Sequence, residues 1–136
     1  MLQRIQSVWL FVGAVFIFLT LRLSFYSGIL AAGRDYHSML PNDNLFILML
    51  TCALGTLLIV NIFLYKNRIL QFRIGIICML MEIMILIFNF KDLEKYAKGS
   101  MDVWALLHLV VLFAIAKAII GIYKDEQLIK DSNRLR

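Results

Sequence analysis

Charge is scarce in this chain: 17% of its 136 residues are Asp, Glu, Lys or Arg, against about 25% in ordinary soluble domains. Proline is scarcer still, with a single residue. So little charge leaves a soluble domain short of polar surface to cover itself, a difficulty that surrounding lipid removes. The two cysteines, Cys52 and Cys78, form no C-x-x-C pair, which argues against a dithiol redox centre or a zinc site. They read as small core-packing residues. No Ser-His-Asp set, H-E-x-x-H, phosphate-binding glycine loop or nucleotide fingerprint occurs. An intramembrane protease would need a nucleophile with a base, or two carboxylates at membrane depth, and the apolar runs hold one carboxylate. The expectation is therefore no enzyme, no metal and no cofactor. Nucleic acid is not an expected partner either, because the net charge of +5 is spread between the apolar runs, as in the flanks of membrane helices.

What the chain has is hydrophobicity, at 62% of residues. Residues 5–21 and 45–65 carry no charge, 74–90 carry only Glu82, and 103–123 carry His108 and Lys117. At ~1.5 Å per residue such runs extend roughly 26–32 Å, close to the ~30 Å hydrocarbon core. Barrel strands would be shorter and would alternate in polarity. The fold class is thus an all-α membrane protein, one domain over 1–136. We expect an up-down bundle of four transmembrane helices at about 5–23, 45–65, 74–90 and 103–123. The first run, preceded by Arg4 and followed by Ala31 and Ala32, resembles a signal peptide. It is long for an h-region, so a retained helix is expected. Asn42, Asp43 and Asn44, and later Ser100 and Asp102, are candidate caps for the second and fourth helices.

Orientation follows from Lys and Arg. The amino end, the short link 66–73 and the tail hold Arg4, Lys66, Arg68, Arg73, Lys124, Lys130, Arg134 and Arg136. The other side holds Arg22, Arg34, Lys91, Lys95 and Lys98. The bias puts both termini on the cytoplasmic side. Residues 23–44 are too apolar for a free linker and are expected to fold back on the outer surface, as a helix extension, an interfacial helix or a small hairpin. Arg22 at their start snorkels to headgroups. In the tail 124–136, Leu128, Ile129 and Leu135 among mixed charges predict an amphipathic helix running on from the fourth span. It is placed on the membrane surface, on a partner, or in solvent.

Ionisable groups at membrane depth are costly unless paired or hydrated. Counting from the ends of the apolar runs, Glu82 lies roughly 12 Å and Lys117 roughly 9 Å from the inner side. A Glu82–Lys117 ion pair is the simplest account. Gly75, Cys78, Glu82 and Asn89 share one stripe of the third helix. Ala114, Lys117, Ala118 and Gly121 form a small-residue face on the fourth, and small residues let membrane helices approach closely. The pair fixes helix register, belongs to a proton or cation pathway, or meets another membrane protein. His108, on the opposite face of the fourth helix near Asn89's depth, reads as a hydrogen-bonding packing residue, with ligand or relay as the alternative. Asn61 is expected to bond across helices.

Three short motifs carry a family resemblance: Met1-Leu2-Gln3-Arg4-Ile5-Gln6-Ser7, Lys66-Asn67-Arg68-Ile69-Leu70-Gln71, and Lys124-Asp125-Glu126-Gln127-Leu128-Ile129 closing on Arg134-Leu135-Arg136. Over the whole chain the sequence resembles an uncharacterised bacterial membrane family, domain of unknown function 4293, found in the Bacteroidota. The family pattern usually has Asp where this chain has Asn133. The resemblance implies four inner-membrane helices with cytoplasmic ends and no particular activity. Because the motifs gather on the cytoplasmic side, Gln3, Arg4, Lys66, Asn67, Arg68, Lys124, Asp125, Glu126, Leu128, Arg134 and Arg136 are the candidates for contact with a partner at the inner face. Besides the lipid bilayer, the expected partner is a membrane or cytoplasmic protein. The leading expectation is a non-enzymatic accessory or scaffolding subunit of a membrane complex. The rival is a small ion-coupled transporter or exporter with Glu82 as its coupling carboxylate.

Overall fold

The computed structural model describes residues 2–31 and 35–134, with side chains placed over 5–31 and 35–129. The helices α1 (Leu2–Thr20), α2 (Leu45–Phe63), α3 (Arg68–Asp92) and α4 (Leu106–Arg134) form an up-down bundle. Each packs on its sequence neighbour, and α1 closes the ring against α4. The core is aliphatic, with Leu10, Ile17, Leu54, Leu58, Ile85, Val111 and Ile115 fully buried. Cys78 lies in that core while Cys52 is half-buried, and both are free thiols. Leu45–Lys66, Arg68–Lys95 and Val103–Ile129 are long and apolar enough to cross a membrane, and Ile5–Thr20 is a shorter apolar helix. Much of the outer surface is apolar, with Phe11, Met49, Leu80 and Phe113 more than half exposed. That is the inverse of a soluble bundle, which turns polar residues outward.

Helix starts follow local chemistry. The Asn44 side chain accepts from the Phe46 amide at 3.1 Å, and Asn67 accepts from Leu70 at 3.3 Å, each satisfying an orphan donor of the first turn. Asn44 therefore acts as the expected cap. Asp102 does not cap with its side chain. The tail is continuous with the fourth helix, since α4 runs unbroken through to Arg134.

The expectation of an all-α chain needs correction. The segments β1 (Tyr26–Leu30), β2 (Tyr36–Met39) and β3 (Tyr96–Met101) form an antiparallel sheet in the order β2-β1-β3. The β1–β2 hairpin is one of the forms expected for 23–44. Its pairing with β3 joins the α1–α2 and α3–α4 links into one cap across the same end of the bundle. The register sets Gly28 against Gly99. A Cβ on Gly99 would stand 2.5 Å from the Ser27 carbonyl oxygen, and one on Gly28 would stand 2.4 Å from that of Lys98. Neither position has room for a side chain, and the Tyr26 ring lies across the space above Gly99. Replacing Gly99 by Val should therefore destabilise the protein by about 1–3 kcal/mol, as overpacking does. Lys98→Thr beside it, at an exposed position, should stay within about 0.5 kcal/mol. Denaturant unfolding in detergent micelles measures both, and equal effects would contradict the close approach.

Candidate functional site

The polar centre of the bundle is Glu82 on α3 and His108 on α4, with Nδ1 and Oε1 2.8 Å apart. Their side chains are 0% and 4% exposed. The Nδ1–H donates to the carboxylate, so the imidazole supplies the donor that a buried carboxylate requires. Glu82 Oε2 has no hydrogen-bond partner among the described residues. Phe25 meets the His108 ring edge-on, with centroids 5.6 Å apart, and Phe25 in turn meets the Phe90 ring edge-on at 5.7 Å. Beyond Phe25 opens an apolar cleft of about 400 Å³ lined by Leu86, Phe90, Leu106 and Leu109, with Asp102 as its polar member.

The expected Glu82–Lys117 ion pair is not formed. Lys117 lies on the exposed face of α4 with its ammonium 5.3 Å from the centroid of the Phe113 ring. Nine residues are about two and a half turns, so His108 and Lys117 lie on opposite faces, and only one can meet α3. The small-residue face decides which. Ala114 packs against Gly13, and Gly121 lies directly under Gln6, so that face meets α1 rather than α3. Depth was also misjudged from the charge-free run. Helix α3 begins at Arg68, six residues before Ile74, with Arg73 inside it. The contacts of Gly75 with Ile119 and Arg68 with Asp125 fix the register. They bring Glu82 level with α4 about one turn from His108.

Other expectations divide. The stripe Gly75, Cys78, Glu82 and Asn89 is buried as expected. Asn61 does bond across helices, but through its backbone: its carbonyl accepts from Gln71 Nε2 at 3.1 Å. Its own amide atoms, and Asn89 Nδ2, are buried without a partner among the described residues. At the end opposite the sheet, where α2 and α3 form a helical hairpin (the hairpin end), Arg68 pairs with Asp125 at 3.6 Å, tying the α2–α3 link to the start of the tail. Two residues expected to face a partner are thus used inside the chain, and Asp125 is buried. Lys66, Lys124 and Leu128 are exposed, as is Asn67 apart from its capping role; Glu126 is half-buried and engaged. Gln3, Arg4 and Arg134 lie in described helices, but their side chains fall outside the described residues, as does all of Arg136.

Sequence reasoning missed the role of Asp102. Its carboxylate accepts from the hydroxyls of Ser24 and Ser27, the latter at 2.6 Å, and its amide donates to the Phe25 carbonyl at 3.2 Å. These bonds hold Phe25 over His108. The partners lie 75 residues or more away in the chain, so no local pattern carries the signal. Burial, with the carboxylates of Asp43 and Asp92 nearby, pushes the Tyr96 phenol above its ordinary value. Among the described residues no three of His, Cys, Asp or Glu converge as a metal site would require.

Three helices long and apolar enough to cross a membrane, a shorter fourth, a sheet capping one end and one Glu–His pair inside define a small apolar helical-bundle protein. The chain belongs to the family described as domain of unknown function (DUF4293), whose model matches residues 2–135. No curated protein and no solved structure matches it.

Breaking a buried pair by removing one partner costs about 3–5 kcal/mol. Glu82→Ala and His108→Ala should each destabilise the protein by that order. The double change to Leu should recover much of the loss, since no unpaired charge or donor remains. Lys117→Met should be close to neutral. Equilibrium unfolding of the four variants in one detergent measures this, and a large loss in Lys117→Met would restore the rejected pairing.

Proposed function

We propose that this protein is a non-enzymatic accessory or scaffolding subunit of a bacterial inner membrane, crossing it four times with both termini in the cytoplasm. The observation that carries the reading is how its ionisable groups are spent. Glu82 with His108, Arg68 with Asp125, and Asp92 with Lys95 join elements of the chain to one another. Apolar faces and the protruding Leu128 and Ile129 remain outward. At 19 residues α1 extends about 28 Å, which supports a fourth span. The Lys and Arg bias favours the hairpin end as the cytoplasmic one. Leu128 and Ile129 then stand beyond the cytoplasmic surface on a helix braced by the Arg68–Asp125 bridge, suited to meet a partner's apolar groove.

A second reading, a proton-coupled carrier, draws on the unpartnered Glu82 Oε2 behind Phe25 and the cleft. In it, Glu82→Gln abolishes flux driven by a pH gradient in proteoliposomes while Lys117→Gln does not.

A reporter fused after Arg136 should be cytoplasmic. A Cys placed at Lys98 should react with an impermeant external reagent, and one at Asn67 should not; the opposite labelling would invert the topology. Changing Leu128 and Ile129 to Glu should leave insertion intact and remove co-purifying membrane or cytoplasmic proteins in a quantitative comparison. Unchanged recovery would sink the docking role.

A further inference from the structure

We propose that the groove between α1 and α4 at the hairpin end binds the phosphodiester headgroup of an anionic phospholipid. The groove is a pocket of about 220 Å³ lined by Gln6, Trp9, Lys117, Gly121 and Lys124, with Ile5 and Ile120 at its rim. Three features give it chemistry. First, Lys117 and Lys124 are one face of α4 two turns apart, both exposed, and neither has a carboxylate within salt-bridge distance among the described residues. Second, Gln6 is 5% exposed and its Nε2 has no hydrogen-bond partner among the described residues. Third, Gly121 seats Gln6 in the groove wall: a Cβ there would stand 2.7 Å from Gln6 Cγ, so only glycine lets the Gln6 side chain lie against α4.

A cation at membrane depth calls for a counter-charge or water. Lys117 has only the Phe113 face, a weak substitute. Among the described residues the two buried carboxylates are engaged elsewhere, Glu82 by His108 and Asp125 by Arg68. A phosphodiester seated between the two lysines would supply the missing charge, and its oxygens would accept from the unpartnered Gln6 amide. Basic pockets between membrane helices on the cytoplasmic side are suited to such headgroups. The apolar surroundings select a lipid over free phosphate. Trp9 packs edge-on against Phe113 with centroids 5.7 Å apart, and the exposed Phe113 and Ile120 continue the groove as an acyl-chain track.

The inference rests on the membrane reading above but not on the direction of insertion, so inverted topology would change the leaflet and leave the binding. The test uses the purified full chain, delipidated in a neutral detergent, and reads its unfolding temperature against added phosphatidylglycerol. Phosphatidylglycerol should raise the midpoint in a saturable way, while phosphatidylcholine and inorganic phosphate at equal concentration should not. Lys117→Gln and Lys124→Gln should each raise the half-saturating concentration about fivefold, one lysine's worth of attraction to an anionic lipid, and Lys117→Arg should restore it. Lys124 is exposed on the same face two turns further along α4, so its variant reads the site independently of Lys117. An undiminished response in the double Gln variant overturns the site. An equal response to inorganic phosphate overturns the lipid assignment, and an equal response to phosphatidylcholine overturns the role of charge.

Discussion

A carboxylate with no exposed surface persists in an apolar bundle only if something offsets its desolvation, and here that group is the His108 imidazole. Much of the structure follows from keeping the two in reach. The bond fixes how α4 is rotated, because turning it to present Lys117 to α3 would carry His108 out to the surface. It also settles how α4 meets α1: with His108 facing inward, Ala114 and Gly121 are left to pack on Gly13 and Gln6. Phe25 completes the arrangement by excluding water from one side of the imidazole, and Asp102 holds the loop that carries Phe25.

The two ends of the bundle solve different problems. At the sheet end two long links must satisfy their backbone groups at a surface. They do so by pairing with each other across the sequence rather than by forming interfacial helices. At the hairpin end the α2–α3 link is short, and its Arg68 reaches the α4 extension through Asp125. One end is thus closed by a backbone ladder reinforced by Asp102 and its two serines, and the other by a side-chain bridge. A helix that projects beyond the bundle, as the α4 extension does, gains rigidity from that bridge.

The apolar runs made the helices and their order legible, because hydrophobicity over such lengths has few other outcomes. The buried stripe of α3 was legible for the same reason, since 3.6-residue periodicity names a face directly. The partner of Glu82 was not. Charge-free runs do not mark helix ends: Arg68 and Arg73 are helical, and long basic side chains can reach water from inside a helix. A depth counted from Ile74 was therefore short, and the choice between opposite faces of α4 depends on what α1 presents, namely Gly13 and Gln6. The sheet escaped because its central contact joins residues far apart in sequence, and because Tyr-Ser-Gly-Ile-Leu and Tyr-Ala-Lys-Gly-Ser-Met are weak strand sequences taken singly. Glycine facing glycine is a signal only once the two strands are laid side by side.

The sheet also imposes an order on biogenesis. Its central strand, β1, is made long before β3, with Ser27 and its partner Asp102 separated by 75 residues. At translation rates of about 5–20 residues per second that interval is roughly 4–15 seconds. During it β1 has the β2 hairpin on one side and an open edge on the other. The cap closes only after the α3–α4 link has reached the same end of the bundle as the α1–α2 link. A chain that stalled, or packed α3 and α4 the wrong way round, would keep that edge unpaired. The finished sheet is therefore a record that both links arrived at one end of the bundle, and an unfinished one leaves a mark that a protease or chaperone can read.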